Sequence, residues 1–176
     1  MSIPAILGIT PTDQATVPEF TPGAIGAVID STGTKLYKYL KYDDASAAVD
    51  GVAGEVAYYY TLDGYKNNVC TSDLSDSVEI GAGVIQANIA TETYGWFQIT
   101  GPATLTIALT AGADGDPLTP SGSADGTLDV SGAVTDNVCA IAGDISDKEI
   151  ICTFHYKSHG GRGNLAPFSN TIGRIE

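Results

Sequence analysis

Histidines are the first residues to consider for chemistry, because imidazole serves both as a metal ligand and as a base near neutral pH. The chain has two, His155 and His159, in the stretch HYKSH. Side chains four residues apart converge on one metal ion when they lie on a helix. Here an apolar alternating segment precedes them and Gly160 and Gly161 follow, which favours the end of a strand. We therefore predict no metal site at these histidines.

Acidic residues are abundant, but their spacing does not match a known reaction centre. Asp114 and Asp116 in DGD do not continue into a calcium loop with a glutamate at the twelfth position. Calcium in the 112–129 loop is the less favoured alternative. Glycosidase carboxylates normally occupy an aromatic-lined cleft, and neither GxSxG, GxGxxG nor a phosphate-binding loop occurs. The sequence predicts a protein that is not an enzyme and that binds no cofactor.

The cysteines are Cys70, Cys139 and Cys152, an odd number in apolar contexts without a CxxC motif. This pattern predicts buried free thiols. If 136–142 and 149–155 form a hairpin, Cys139 and Cys152 face each other, which makes a disulfide geometrically possible. A reducing compartment disfavours it.

The charge balance excludes two classes of partner. The chain carries 8 Lys and Arg against 21 Asp and Glu, a net charge of −13. Such a surface repels nucleic-acid phosphates and anionic membranes, so we expect neither as a partner. The start, MSIPAILGITPTDQ, lacks a basic region, and its apolar run is broken by Pro4 and Gly8. We expect synthesis in the cytoplasm, without secretion.

Twenty-one glycines and 8 prolines between short apolar runs predict many turns and strands. We predict an all-β fold: a single compact β-barrel or β-sandwich over 34–156, with about eight to ten short strands. Residues 1–33 contain several prolines and no Lys or Arg, which predicts an extended N-terminal arm ending in a turn. Residues 157–176 are predicted to be an irregular tail, either flexible or ordered on a partner.

Several segments carry more specific predictions. TKLYKYLKY alternates strongly, which indicates a strand with packed tyrosines and solvated lysines. DDASAAVD is compatible with one helical turn capped by Asp43 or Asp44. TSDLSDSVEIGAG is predicted to be a polar loop and VIQANIAT a strand. Residues 112–132 are predicted to form a long surface loop or a set of turns that contributes little to the core.

The stretch YGWFQITGP contains the only tryptophan. Alternation places Phe97 and Ile99 toward the core and Trp96 on the opposite face, where it enters either a second packed layer or a contact surface. The following Gly101-Pro102 is predicted to end this strand, and ATLTIALTA to form the next one.

This stretch resembles one family, the head decoration or capsid cement proteins of tailed phages. Those proteins often carry an aromatic-Gly-Trp-hydrophobic-Gln strand followed by Gly-Pro and a strand similar to ATLTIAL. The upstream PEF and YKYLKY and the downstream GDPLTPSGSADGTLD also resemble that family, in the same order, over roughly residues 18–155. The matching residues are Pro18, Glu19, Phe20, Gly23, Tyr94, Gly95, Trp96, Phe97, Gln98, Gly101 and Pro102.

The resemblance implies a β-rich virion protein on the outer surface of an assembled capsid. It would cement neighbouring major capsid protein subunits, commonly as a homotrimer, and stabilise the head. Its partners would be the major capsid protein and further copies of itself. The residues that we expect at capsid or subunit interfaces are Val17, Pro18, Glu19, Phe20, Trp96 and Phe168.

Two alternatives remain open at this point. A phage tail, fibre or receptor-binding module would also be β-rich and acidic, although it usually shows repeats or a stalk. A few copies per virion would favour it, and hundreds would favour a decoration protein. A small hydrolase or a carbohydrate-binding domain is the other alternative. Glycan binding would need exposed planar aromatic rings, so exposure of Trp96 and Tyr58–Tyr60 tests it.

Overall fold

The computed structural model describes residues 6–31, 33–43, 49–61 and 64–154. Within these ranges it contains twelve strands and one short helix, so the prediction of an all-β protein is confirmed. In chain order the strands are β1 (Ile6–Leu7), β2 (Gln14–Ala15), β3 (Ile25–Asp30), β4 (Gly33–Tyr42), β5 (Val56–Tyr60), β6 (Val69–Thr71), β7 (Ser77–Ile85), β8 (Thr93–Thr104), β9 (Pro117–Thr119), β10 (Asp129–Val130), β11 (Ala140–Ala142) and β12 (Glu149–Thr153). The helix α1 (Gly64–Asn67) lies between β5 and β6.

Five strands close into a small barrel. β8 pairs with both β4 and β7, and β7, β5 and β6 lead back to β4. Closure pairs strand edges that would otherwise be open. The interior is filled mainly by Leu40, Tyr42, Tyr59, Ile85 and Phe97. Of the two predicted architectures, barrel and sandwich, the structure shows the barrel.

A second sheet extends from the barrel at β8. β8 pairs with β12, and the further strands are hydrogen-bonded in the order β12, β11, β9, β10. A second core joins this sheet to β5, and it includes Leu118, Leu128 and Phe154. Within 112–132 the structure has two short strands joined by turns, and Leu118 and Leu128 are fully buried. The turns agree with the prediction, but the expected small contribution to the core is wrong, because both leucines belong to the second core and both strands to the second sheet.

Strand β5 lies between the two cores. Val56 and Tyr58 enter the second core, whereas Ala57 and Tyr59 enter the barrel. All four are fully buried. A strand that is buried on both faces has apolar or aromatic residues at every position, and this accounts for the unbroken run VAYYY.

The Gly-Pro pair does not end β8, contrary to the sequence prediction. β8 continues to Thr104, and the separate strand predicted for ATLTIALTA does not form. In an antiparallel pair only every second residue directs its backbone N–H toward the partner strand. Leu105 N donates to Lys148 O, so Leu105 and Ala103 direct their N–H groups toward β12. Pro102, opposite Ile151, then has its backbone nitrogen turned away from β12. The missing N–H therefore removes no ladder bond, and proline is tolerated.

The segment SVEIGAG was also predicted wrongly, because it belongs to β7 (Ser77–Ile85) and not to a polar loop. The glycines suggested a loop, but they serve close packing. A side chain at Gly81 would lie 2.6 Å from the Phe154 ring, and one at Gly83 would lie 2.9 Å from Phe97 Cβ. Glycine is used in a strand where neighbouring rings approach the backbone.

The N-terminal region pairs with its own chain. β1 runs parallel to β3, β3 forms an antiparallel hairpin with β4, and β2 pairs with β8 at Tyr94 and Gly95. Residues 25–30 are thus a strand of the sheet, and the extended part precedes them. An extended segment gains stability by adding to an existing sheet.

The three cysteines are free and buried. Cys70 packs in the barrel, and Cys139 and Cys152 pack in the second core. The predicted hairpin of β11 and β12 forms, but its register pairs Ala140 with Cys152, so Cys139 does not stand directly opposite. Burial raises the pKa of the Cys152 thiol to about 12.

Some predictions lie outside the described residues. These are most of the helical turn in DDASAAVD, at 44–48, the tail at 157–176 with Phe168, and both histidines.

Candidate interaction surfaces

The outer face of the β4–β8 pair carries four aromatic residues, here called the aromatic cluster: Phe20, Tyr39, Tyr94 and Trp96. Tyr39 and Trp96 are cross-strand partners whose ring centroids lie 5.0 Å apart. Phe20 comes from the N-terminal arm, and its ring lies 5.1 Å from that of Trp96 and 5.3 Å from that of Tyr39. Because these rings cover one another, Trp96 is only 3% exposed.

Strand alternation in β8 produces this arrangement as the sequence predicted. Phe97 enters the barrel and Ile99 the second core, while Trp96 faces the other way. The sequence left open whether that other face is a packed layer or a contact surface. In the structure it is a packed layer, and the cover is the arm of the same chain.

Two anchors hold the arm on either side of a short exposed segment, here called the strap, residues 16–19. Before the strap, Gln14 and Ala15 pair with β8, and Gln14 Nε2 donates to Asn88 O at 2.7 Å. After it, Phe20 joins the aromatic cluster and Gly23 N donates to Tyr39 O at 2.7 Å. Fixing both ends restricts the conformations of the strap.

The strap itself faces solvent. Val17 is 73% exposed, and Pro18 and Glu19 are exposed as well. Of the six predicted interface residues, Phe20 and Trp96 thus contact each other inside the molecule. The strap residues are exposed beside them, with Glu19 N donating to the Tyr39 hydroxyl at 3.3 Å, and Phe168 lies outside the described residues.

A second surface was not foreseen from the sequence. On the outer face of the second sheet, four apolar residues are successive cross-strand partners, here called the apolar row: Pro102, Ile151, Ile141 and Pro117. Ile151 is 48% exposed and Ile141 39%, and both prolines are exposed. The signal was present in KEIICTF, because two adjacent isoleucines in a strand cannot both face the core.

Four exposed carboxylates lie at or beside the β11–β12 turn, on one flank of the apolar row, and form what we call the acidic rim: Asp114, Asp144, Asp147 and Glu149. Glu149 precedes Ile151 by two residues on the same face of β12. Asp114 accepts a hydrogen bond from Ile145 N at 3.1 Å, which brings its loop to the β11–β12 turn. The nearby Lys148 donates to Thr106 O at 2.8 Å.

A cleft of about 560 Å³ opens next to Pro102 and Glu149. Its polar walls include Lys35 and the amide of Gln98. The Gln98 amide already donates to Pro102 O at 2.8 Å, and Lys35 lies 3.7 Å from a carboxylate oxygen of Asp30. Both groups are thus engaged with their own chain.

Lys38 is buried inside the barrel, which corrects the prediction of solvated lysines on β4. Its Nζ donates to the Tyr59 hydroxyl at 2.7 Å and lies 5.1 Å from the centre of that ring. Burial lowers the pKa of Lys38 to about 8. Cys70 on β6 is a further titratable group near it, and the ring of Tyr65 on α1 packs on Tyr59. Alternation had already placed Lys38 on the face of Leu40 and Tyr42, which proved to be the interior.

Within the described residues, no group of three or more His, Cys, Asp or Glu side chains is arranged to hold a metal ion. In the same part of the chain, no helix has the length and apolar character needed to cross a membrane. Comparison with protein-family models, curated proteins and solved structures finds no match to this chain. Function is therefore inferred from the arrangement of its residues.

Proposed function

We propose that this chain is a structural virion protein that binds the outer surface of an assembled phage capsid and cements neighbouring major capsid protein subunits. The observation that carries the proposal is the strap. It exposes an apolar residue, Val17, on a segment held at both ends by a closed barrel. A segment ordered before binding loses less conformational entropy when a partner engages it.

The burial of aromatic residues supports this function over glycan binding. A glycan platform would need exposed rings, yet Trp96, Tyr58 and Tyr59 are each at most 3% exposed, and Tyr60 is half-buried. The same rings stabilise the body, so that among the predicted interface residues that the structure describes, those left for a partner are in the strap. A tail or fibre module remains the alternative, and the number of copies per virion separates the two.

The mechanism is physical. A protein that binds only the assembled shell stabilises that shell by mass action. Self-association, which we propose as a trimer, would let several weak contacts act together. No catalytic step and no cofactor are part of this function. The acidic surface would limit nonspecific contact with nucleic acid.

The test compares two exposed valines. Val17→Asp on the strap is expected to lower occupancy on cognate capsid shells at least about ten-fold, because a charge replaces an apolar contact. The matched control is Val134→Asp, at a valine that is 83% exposed on the second sheet side. It is expected to bind as the unaltered chain does. Co-sedimentation with shells that lack the protein measures both.

Equal occupancy of the two variants would contradict the strap as the contact. If the unaltered chain itself does not co-sediment with the shells, the capsid function fails. Both substitutions are on exposed residues, so circular dichroism and melting temperature should match the unaltered chain and rule out unfolding as the cause. Removal of residues 1–20 is a cruder variant, because it also uncovers Trp96 by deleting Phe20.

A further inference from the structure

The apolar row is an unusual surface for a chain this acidic. Ile141 and Ile151 are cross-strand partners on the outer face of a regular sheet, and both keep more than a third of their side chains exposed. Pro102, opposite Ile151, and Pro117, opposite Ile141, continue the row on either side of the two isoleucines. Four strands spaced by about 4.8 Å make a row about 14 Å long. Contiguous apolar surface with a polar border is typical of a docking site.

The charge at its border specifies the occupant. The acidic rim presents four carboxylates, and the side chain of Lys148 next to it is hydrogen-bonded to Thr106 O. The Ser146 hydroxyl holds the pKa of Asp144 below its usual range, so that carboxylate stays charged. An occupant that combines apolar with basic side chains would satisfy both the row and the rim.

The chain contains one such segment, the residues that follow β12. Residues 155–176 hold three of the 8 basic residues and one of the 21 acidic ones, so the rest of the chain has five against twenty. The segment also contains the apolar group Leu165, Pro167 and Phe168. Basic and apolar residues therefore occur together in the one segment that begins at the end of β12.

The distances are compatible with docking on the same chain. Leu165 follows Phe154 by eleven residues, which span at most about 40 Å, more than twice the length of the row. The segment must first reverse direction, and the stretch GGRG at 160–163 supplies glycines that take up turn conformations readily. Phe168 can therefore reach Ile151, which lies on the strand that leads into the segment.

We propose that the C-terminal segment 155–176 folds back across the apolar row of its own chain. Leu165 and Phe168 cover Ile141 and Ile151, and Arg162 faces the acidic rim. The row is thus an intramolecular docking site. This inference does not depend on the proposed function, because it concerns the purified chain without a capsid.

Limited trypsin digestion of the full chain tests the contact, since Arg162 is a cleavage site within the segment. Ile141→Thr is expected to speed cleavage after Arg162 about five-fold. The variant loses roughly one buried methyl contact between the row and the C-terminal segment, so the segment is undocked and accessible to trypsin more often. The control is Val134→Thr, which alters an exposed valine outside the row and should leave the rate unchanged. Mass spectrometry follows this one cleavage. Equal rates in all three proteins would overturn the proposal.

Methyl NMR of the full chain tests the same contact without a protease. Phe168→Ala is expected to shift the methyl resonances of Ile141 and Ile151 and to leave Ile29, which is 74% exposed on β3, unchanged. Nuclear Overhauser contacts between Phe168 and Ile151 should be present within one molecule. Their absence would overturn docking. Contacts seen only between differently labelled molecules would show a second copy as the occupant and overturn the assignment to the same chain.

Discussion

Two outer faces of this molecule both carry apolar side chains, and they differ in whether another described segment of the chain covers those side chains. The outer face of β4–β8 is aromatic, and Phe20 from the arm covers it so that Trp96 is 3% exposed. The outer face of the second sheet is aliphatic, and within the described residues Ile151 remains 48% exposed. β8 belongs to both faces, so the difference does not arise from the strand. It arises from which segment of the chain lies above each half.

The comparison distinguishes a face that stabilises the fold from a face that is available for binding. A covered face contributes to the free energy of unfolding, because its apolar area leaves water when the chain folds. An uncovered face contributes little to that free energy and is available to another segment or partner. We therefore expect substitutions on the two faces to differ in size as well as in kind.

The largest effect is expected at the centre of the covered face. Trp96→Ala should lower the free energy of unfolding by about 3–5 kcal/mol, because it leaves a cavity beneath Phe20 and removes the ring contacts with Tyr39. Urea denaturation monitored by circular dichroism measures the loss. A change below about 1 kcal/mol would show that the arm does not pack on this face in solution.

The next largest effect is expected at Lys38, on the face of β4 that points into the barrel and away from the aromatic cluster. The pKa of Lys38 is lowered to about 8 in the folded protein, from 10.5. Between these values the unfolded chain binds more protons than the folded one, so the free energy of unfolding rises with pH. Burial also raises the pKa values of the Cys70, Cys139 and Cys152 thiols, so their ionisation in the unfolded chain opposes the trend above about pH 9. Tyr59 does the same above about pH 10, because burial raises its pKa as well. The rise due to Lys38 is therefore measured between about pH 8 and 9.

Lys38→Met should remove this rise and stabilise the protein by about 2 kcal/mol at pH 7, since a buried charge is replaced by an apolar chain. Lys41→Met on the same strand is the control. Lys41 makes a surface ion pair with Glu92, so its loss should change stability by less than about 0.5 kcal/mol. Urea titrations at several pH values measure both. An unchanged pH slope in the Lys38 variant would show that this lysine is hydrated.

The smallest effect is expected on the uncovered face. Ile151→Thr should lower the free energy of unfolding by about 1 kcal/mol at most, because threonine suits an exposed strand position and the substitution weakens only the contact with the C-terminal segment, an effect equivalent to about five-fold in docking. The same urea denaturation used for Trp96→Ala measures it. A loss comparable to that of Trp96→Ala would mean that this face is as fully covered as the other, and would end the contrast between them.

Much of the fold follows from local pattern. The alternation in TKLYKYLKY and YGWFQI predicted β4 and the first half of β8, together with the side on which Trp96 lies. The wrong strand boundaries share a cause. Gly81, Gly83 and Pro102 were interpreted as loop or terminator signals, whereas their neighbours make them suitable for strands. Whether a glycine marks a turn or admits a ring depends on residues far away in the chain.

The candidate surfaces show the same limit. The exposure of Val17, Pro18 and Glu19 was compatible with the predicted interface, but the pairing of Phe20 with Trp96 was not foreseen. Seventy-six positions separate them, and only the pairing of β2 with β8 and of the arm with Tyr39 brings them together. The apolar row was missed because it is made of four residues from four strands.

By itself, the sequence determined the all-β class, the acidic surface and the two-faced character of the tryptophan strand, because composition and a period of two are local properties of the chain. Tertiary structure alone decided that the strands close into a barrel, that Lys38 lies inside it, and that the arm covers one apolar face and not the other. Those outcomes depend on register and on contacts between distant residues, and hydrophobic pattern places a side chain on a face without saying what will lie against it.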